Sequence, residues 1–382
     1  MSSNDSLPAN AETTTQWSPF NGPLKSIEPW NFQLLTALMF LITTLSIIEN
    51  FIVILVTLKF KQLRQPLNYI IVNLSVADFL VSIVGGSISI ATNSKGYFYL
   101  GPWACVVEGF AVTFFGIVAL WSLSILAFER YVVICRPLGN LPLRGKHSAI
   151  GILFVWVFSF IWTIPPTMGW SSYTTSKIGT TCEPNWYSGE TQDQTFIITF
   201  LMTCFVLPLI LIFVSYGKLM RKLRKVSDTQ SRLGSSRKPE KEVARMVIIM
   251  ILAFLICWSP YAAFSILVTA HPTIELDPRL SAIPAFFAKT ASMYNPVIYV
   301  FMNKQFRRCL LQMFHCNDLD LKESNNPTTD RVALNRTNHG SEMHTIAAHL
   351  STNNGNRQTE EEQSSCNSFA QLPMSENKIC PM

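Results

Sequence analysis

Apolar residues in this chain gather into long blocks rather than amphipathic stripes. Seven blocks run at about Phe32–Leu58, Leu67–Ile90, Ala104–Val133, Ser148–Met168, Thr195–Leu219, Ala244–Ala270 and Leu280–Met302. Each reaches the roughly 20 residues that carry a helix across about 30 Å of hydrocarbon. The pattern predicts an all-α membrane protein, a bundle of seven transmembrane helices. After Met302, apolar positions at Phe306, Leu310, Met313 and Phe314 predict a short amphipathic eighth helix lying on the membrane surface.

The segments between blocks set the orientation. Basic residues follow blocks one, three, five and seven: Lys59, Lys61 and Arg64; Arg136, Arg144 and Lys146; Lys218 to Lys225; and Lys304, Arg307 and Arg308. The loops after blocks two, four and six carry no such excess. Basic loops stay cytoplasmic, so the amino terminus is expected outside and the carboxyl tail inside a multi-pass plasma-membrane protein. The expected organisation is an extracellular segment over 1–31, a receptor domain over 32–302, the amphipathic helix over 303–316 and a cytoplasmic tail over 317–382. That tail is rich in Ser, Thr, Asn and Glu and reads as disordered, with candidate phosphorylation sites. The polar first 30 residues predict no cleaved signal peptide, which leaves the first block as a signal anchor. Asn4-Asp5-Ser6 is a candidate glycosylation site on the outer side, and Cys316 a candidate for palmitoylation next to membrane lipid. The similar triplets at Asn73 and Asn335 fall in a span and in the cytoplasm and are set aside.

Composition agrees. Hydrophobic residues make up 49% and charged residues 14% of the 382, against about 25% charged in soluble domains. The net charge of +6 would suit nucleic acid if it formed one patch. Here it marks one side of a membrane, so no nucleic-acid partner is expected. The nine cysteines include no Cys-x-x-Cys, hence no zinc or redox motif, and no metal is expected. Cys105 and Cys182 both fall on the outer side and form the strong disulfide pair.

Charges inside spans cost about 2.5–3.5 kcal/mol each on insertion scales, so each requires a reason. They stand at Asp78, Glu108, Glu129–Arg130 and Lys289. Lys289 lies mid-helix, too deep for its ammonium to reach water. It needs a carboxylate partner, and Glu108 in the outer part of the third block is the candidate. Two readings stay open on residue chemistry alone. One is a structural Lys–carboxylate pair; the other is a lysine poised for Schiff-base chemistry with an aldehyde, whose cation would need the same partner.

Lys289 is followed by Asn295-Pro296-Val297-Ile298-Tyr299, and together they resemble the seventh helix of an opsin. Other signatures of rhodopsin-type receptors stand in order. They are Asn50; Asp78 after Leu74-Ser75-Val76-Ala77; Glu129-Arg130-Tyr131; Trp156; Pro208 and Tyr216; and Cys257-Trp258-Ser259-Pro260-Tyr261. The resemblance covers about residues 30–316. Leu63-Arg64-Gln65-Pro66-Leu67-Asn68 with Gly116-Ile117-Val118-Ala119-Leu120-Trp121 is most similar to the vertebrate ancient opsins, a non-visual group.

The resemblance implies a photoreceptor, not an enzyme, with retinal on Lys289 in the 11-cis form in darkness and Glu108 as counterion. It places Thr113, Gly116, Phe254, Trp258 and Tyr261 around the chromophore, Gly116 leaving room for a polyene. It assigns the G-protein switch to Glu129, Arg130, Tyr131, Tyr216, Glu240, Asn295, Pro296 and Tyr299, and a polar core to Asn50 and Asp78. On this view light moves a proton to Glu108, Pro260 lets the sixth helix swing, and Glu240 releases Arg130, with Tyr216 and Tyr299 supporting it. The implied partners are a heterotrimeric G protein of the inhibitory or transducin type, and receptor kinase and arrestin on the phosphorylated tail. Glu108 and Arg130 are 22 residues apart, about 33 Å and six turns, so one helix carries both on nearly one face. Cys105 sits one turn above Glu108, where its bridge to Cys182 would pin the second outer loop over the pocket.

Two positions depart from patterns known among opsins. Where some carry a second carboxylate six residues before the disulfide cysteine, this chain has Ser176, which leaves Glu108 as the expected sole counterion. Where rod-type pigments place Glu after the glycine matching Gly116, it has Ile117. Alternative readings are a retinal photoisomerase with little signalling, a receptor for a diffusible ligand, which Lys289 argues against, and a light-driven pump, which the receptor motifs oppose.

Overall fold

A computed structural model describes residues 17–135, 145–230 and 238–314, with side chains left aside at 225–230 and 238–241. Among the described residues seven long helices form a bundle. They are α1 (Pro29–Lys59), α2 (Pro66–Lys95), α3 (Gly101–Cys135), α4 (Gly145–Thr163), α5 (191–230), α6 (Lys238–Ala270) and α7 (Pro278–Met302). Proline opens α1, α2 and α7, where its missing N–H costs nothing. The Asp277 side chain caps α7 by accepting from the Arg279 N–H at 2.9 Å.

Six of the seven are long and apolar enough to cross a membrane by composition alone. α7 falls short because Lys289, Thr290, Ser292 and Asn295 interrupt it, and all but Lys289 are buried against neighbouring helices. The outward faces suit lipid: α4 exposes Ile150, Leu153, Phe154, Val157, Phe160 and Ile161, a stripe that water would not tolerate. Polar side chains turn inward instead. Asn73, inside α2, donates to Ser122 Oγ at 2.8 Å and accepts from Trp156 Nε1 at 2.7 Å.

Two helices are not α-helical throughout. α2 contains a π turn at Ser82–Gly86 and α5 another at Met202–Val206. Such turns are rare and were not signalled by the apolar pattern. α5 and α6 also extend past the expected blocks into polar sequence.

Between α4 and α5 a hairpin pairs β1 (Tyr173–Thr175) antiparallel with β2 (Cys182–Pro184), Thr174 opposite Glu183. A Cys105–Cys182 disulfide ties β2 to α3. Gly109 permits the close fit of β1, since a Cβ there would stand 2.6 Å from the Tyr173 ring. The short helix α8 (Lys304–Phe314) follows Asn303, whose Oδ1 accepts from the Phe306 N–H at 3.0 Å, and it buries Phe306 and Cys309. Asn4, Arg136, Arg144 and Cys316 lie outside the described residues, as does the side chain of Glu240.

Candidate functional site

The helices surround a partly open cavity of about 140 Å³, roughly ten times the 10–15 Å³ a single water needs by the same measure. All five residues expected around a chromophore line it: Thr113 and Gly116 from α3, and Phe254, Trp258 and Tyr261 from α6. Lys289 enters from α7 and is the one amine in the lining. The rest of the wall is mostly apolar and aromatic.

Glu108 stands behind Lys289 and is wholly buried, while the Lys289 side chain keeps 15% of its surface accessible. Nζ lies 3.1 Å from Glu108 Oε1. Ser89 of α2 donates to the same oxygen at 2.7 Å and also bonds Nζ, so three helices meet on one carboxylate. The second oxygen, Oε2, accepts the Cys182 N–H at 3.0 Å. The disulfide therefore does more than tie a loop; it brings a backbone donor onto the buried carboxylate. An ion pair with both oxygens occupied by donors is the form in which a membrane interior tolerates charge.

Gly116 lies against Trp258. A Cβ there would sit 2.9 Å from the end of the Trp258 indole, so the tryptophan ring occupies the space the missing side chain leaves. Trp258 in turn stacks on Phe254 at 5.6 Å. Ser176 is buried in the hairpin and accepts from the Thr181 hydroxyl at 3.1 Å.

The sequence reading passed over two acidic residues. Glu183, next to Cys182, is 6% exposed and, with Asp78 of α2, is one of two carboxylates in the cavity lining, which Glu108 itself does not join. Tyr187 donates to its Oε1 at 2.7 Å and Tyr261 to its Oε2 at 2.5 Å. Burial raises the Glu183 carboxyl above its ordinary range, and the bonds from Tyr261 and Tyr187, the Lys289 charge and Trp186 offset only part of that. Nothing local marks Glu183, because it lies outside every apolar block and is buried only by the disulfide-held hairpin. Glu49, in α1, belonged in the inventory of charges within spans; its Oε2 is buried without a hydrogen-bond partner among the described residues.

A polar cluster continues from the cavity wall, which Asp78, Ser82 and Ser292 line: Asn50 donates to the Ser46 and Ser292 carbonyls, each at 2.9 Å, and Ser46 bonds Ser82 and Ser292. Asp78 accepts from Asn295 at 2.9 Å, and Tyr299 donates to Asn68 at 2.9 Å. Pro296 is buried between them in α7. At the far end of α3, Arg130 forms two bonds of 2.5 Å with Glu129. Tyr131 lies under Lys218, 5.7 Å from its ammonium. Tyr216 is buried, and its hydroxyl has no hydrogen-bond partner among the described residues. Neither tyrosine expected to support Arg130 bonds it in this arrangement.

Residues 49–299 match the family model described as 7 transmembrane receptor (rhodopsin family). The chain is 63% identical over 366 residues to Opsin-VA of Rutilus rutilus, covering 95% of this chain and 96% of that one. It is 69% identical to vertebrate ancient opsin of Salmo salar, over 75% of this chain and 88% of that one. With the pineal opsin of Petromyzon marinus the identity is 64%, over 81% and 70% of the two chains. Squid rhodopsin in its crystal structure superposes with a TM-score of 0.71 at 26% identity, over 75% of this chain and 82% of that one. A seven-helix bundle with lipid-suited faces, a lysine–carboxylate pair beside an apolar cavity and these likenesses agree: the chain is a multi-pass membrane protein that belongs to the opsins, within the rhodopsin family of seven-transmembrane receptors.

Proposed function

We propose that this protein is a non-visual light receptor that holds retinal covalently on Lys289 Nζ, 11-cis in darkness, and activates a heterotrimeric G protein of the inhibitory or transducin type when illuminated. One observation carries the reading. An amine faces a partly open, mostly apolar cavity within the bundle and is backed by a buried carboxylate 3.1 Å away. That combination suits a long apolar aldehyde: the walls receive its chain, the amine its carbonyl carbon, and Glu108 the charge that results.

When bound, retinal supplies a polyene that absorbs visible light and changes shape. The protein's own residues do the rest. Glu108, held by Ser89 and Cys182 N–H, keeps its negative charge beside Nζ and ties α3 to α7. The hairpin and its disulfide keep water from the attachment point. Trp258, wedged on Gly116, couples the cavity to α6, whose Pro260 leaves one backbone hydrogen bond open and gives the helix a place to bend. After illumination the proton held at Lys289 Nζ passes to Glu108, which neutralises both groups; the tie between α3 and α7 weakens, and α6 moves away from Arg130. The side of the bundle bearing Arg130 faces the cytoplasm and receives the G protein. The tail over 317–382 offers Ser and Thr to a receptor kinase and then arrestin.

The test is absorbance of the purified protein incubated with 11-cis-retinal in darkness, read before and after illumination. A visible band that shifts with light is expected, together with light-dependent nucleotide exchange on a transducin-type G protein. Lys289→Ala removes both. A visible band that survives in Lys289→Ala overturns the attachment, and an illuminated pigment without nucleotide exchange overturns the receptor role.

A further inference from the structure

Cys182 and Glu183 are consecutive on β2 yet serve different parts of the site. The Cys182 N–H goes to Glu108, whereas the Glu183 side chain lines the cavity itself. Two phenols fill its oxygens, Tyr187 on Oε1 and Tyr261 on Oε2. The direction of those bonds follows from the phenols' other partners. The indole N–H of Trp186 can only donate, and it donates to the Tyr261 oxygen at 3.0 Å. The backbone N–H of Lys177 likewise reaches the Tyr187 oxygen. Each phenol therefore has its own proton left for Glu183. Two donated protons fit a carboxylate, since a carboxylic acid would bring a third to a place where both oxygens are already met.

The charged and titratable groups around Glu183 are few. Tyr187 follows it on the same loop, and Lys177 of the hairpin lies 4.7 Å over the Tyr187 ring. Tyr261 comes from α6, Lys289 from α7, and Glu108 from α3 behind Lys289. Opposite Glu183 on β1 stands Thr174, which does not titrate. The Lys289 charge is close enough to favour the Glu183 anion. Such coupling is reciprocal: the anion favours the Lys289 cation by the same factor.

We propose that Glu183, oriented by Tyr187 and Tyr261, is a second anionic positioning residue of the site, holding the proton on Lys289 Nζ jointly with Glu108 but across the cavity rather than by contact. Glu108 can then take up a proton while the cavity still keeps a negative charge. The inference rests on the reading of Lys289 as the retinal attachment point.

Alkaline titration of the visible band of the retinal-loaded protein tests it. In Glu183→Gln the band is lost at a pH about one unit lower than in the wild type, within the roughly 5- to 150-fold range usual for coupling between sites. Glu183→Asp, which keeps the charge, restores most of the difference; a purely structural role would leave the titration unmoved in both. Infrared spectra of the retinal-free protein give a second readout. Glu183→Gln should remove carboxylate absorption at neutral pH and leave the protonated carboxyl region unchanged, with Glu183→Asp supplying the assignment should the Gln variant not fold. Equal titration in wild type and Glu183→Gln overturns the inference and leaves retinal on Lys289 intact. No visible band in the wild type overturns the retinal reading instead, and a protonated carboxyl band lost in Glu183→Gln overturns the anion by itself.

Discussion

Breaking the bridge between Cys105 and Cys182 separates two effects that the structure joins. The cysteines are 77 residues apart. Treated as chain entropy alone, a closed loop of that length restrains the unfolded chain by about 15 cal/mol/K, or about 4.5 kcal/mol at 25 °C. That is an upper bound, because helices that stay in the membrane already restrict the unfolded state. The second effect is local. Without the bridge β2 can lift, and Glu108 loses the Cys182 N–H, a hydrogen bond to a charged group worth about 1.5–3 kcal/mol. Other contacts resist the lifting, since Tyr173 packs on Gly109 and donates to the Thr163 carbonyl at 2.8 Å. The double variant Cys105→Ala/Cys182→Ala should therefore fold in reduced yield and unfold at lower temperature in detergent. Its attachment point should also open more often. A water-soluble nucleophile such as hydroxylamine, added in darkness to the retinal-loaded variant, should bleach the visible band about 10- to 150-fold faster, the ratio that 1.5–3 kcal/mol corresponds to. Bleaching at the wild-type rate in a variant of lowered stability would refute the role of the hairpin as a lid. Unchanged stability would refute the bridge as a structural tie.

Glu108→Gln places an amide where both oxygens now accept, so at least one of the donors from Ser89, Cys182 and Lys289 loses its acceptor. The visible band should move to the near-ultraviolet at neutral pH, and the retinal-free protein should lose about 3–5 kcal/mol in unfolding measurements; an unmoved spectrum means that another group balances the cation. Gly109→Val drives a side chain into the Tyr173 ring and should destabilise by about 1–3 kcal/mol. Gly217→Ala, with nothing within 4 Å of the new Cβ, should instead raise stability by about 0.5–1 kcal/mol. Thermal unfolding of the pair checks the packing at the hairpin, and equal behaviour refutes it.

Much of this architecture was legible because lipid writes plainly into sequence. Each apolar block corresponds to a helix, and α3 runs unbroken from Gly101 to Cys135, carrying both Glu108 and Arg130. Helix ends were less legible where a helix leaves the membrane: α5 continues to Gln230, well beyond Leu219, in polar sequence that carries no apolar signal. Lys289 and Glu108 could be found because an uncompensated charge inside a span needs a partner. Glu183 could not be found on that rule. It sits in a loop, where a carboxylate is ordinary, and is buried by a hairpin that the disulfide and the Tyr173 contacts hold against the bundle. The contact between Gly116 and Trp258 joins residues on separate helices, and the relative rotation of helices is not written in the apolar pattern of either one.

The π turn at Ser82–Gly86 takes into one wide turn a residue that a regular α2 would have to accommodate by rotation. An extra residue in a helix turns everything beyond it by about 100°. Asp78, on Asn295, lies before the turn; Ser89, on Glu108, and Thr92, whose hydroxyl reaches the Thr180 carbonyl of the hairpin, lie after it. Deleting one residue from Ser82–Gly86 would leave both segments helical and both apolar. The wide turn would close to an α turn and absorb the loss, so Ser89 would stay on the ion pair and Thr92 on the hairpin; the same deletion in the α-helical part just after the turn would instead swing both away by about 100°. The π turn is thus the place where this helix can change length without changing direction, and the spacing between Asp78 and Ser89 encodes a facing as much as a distance.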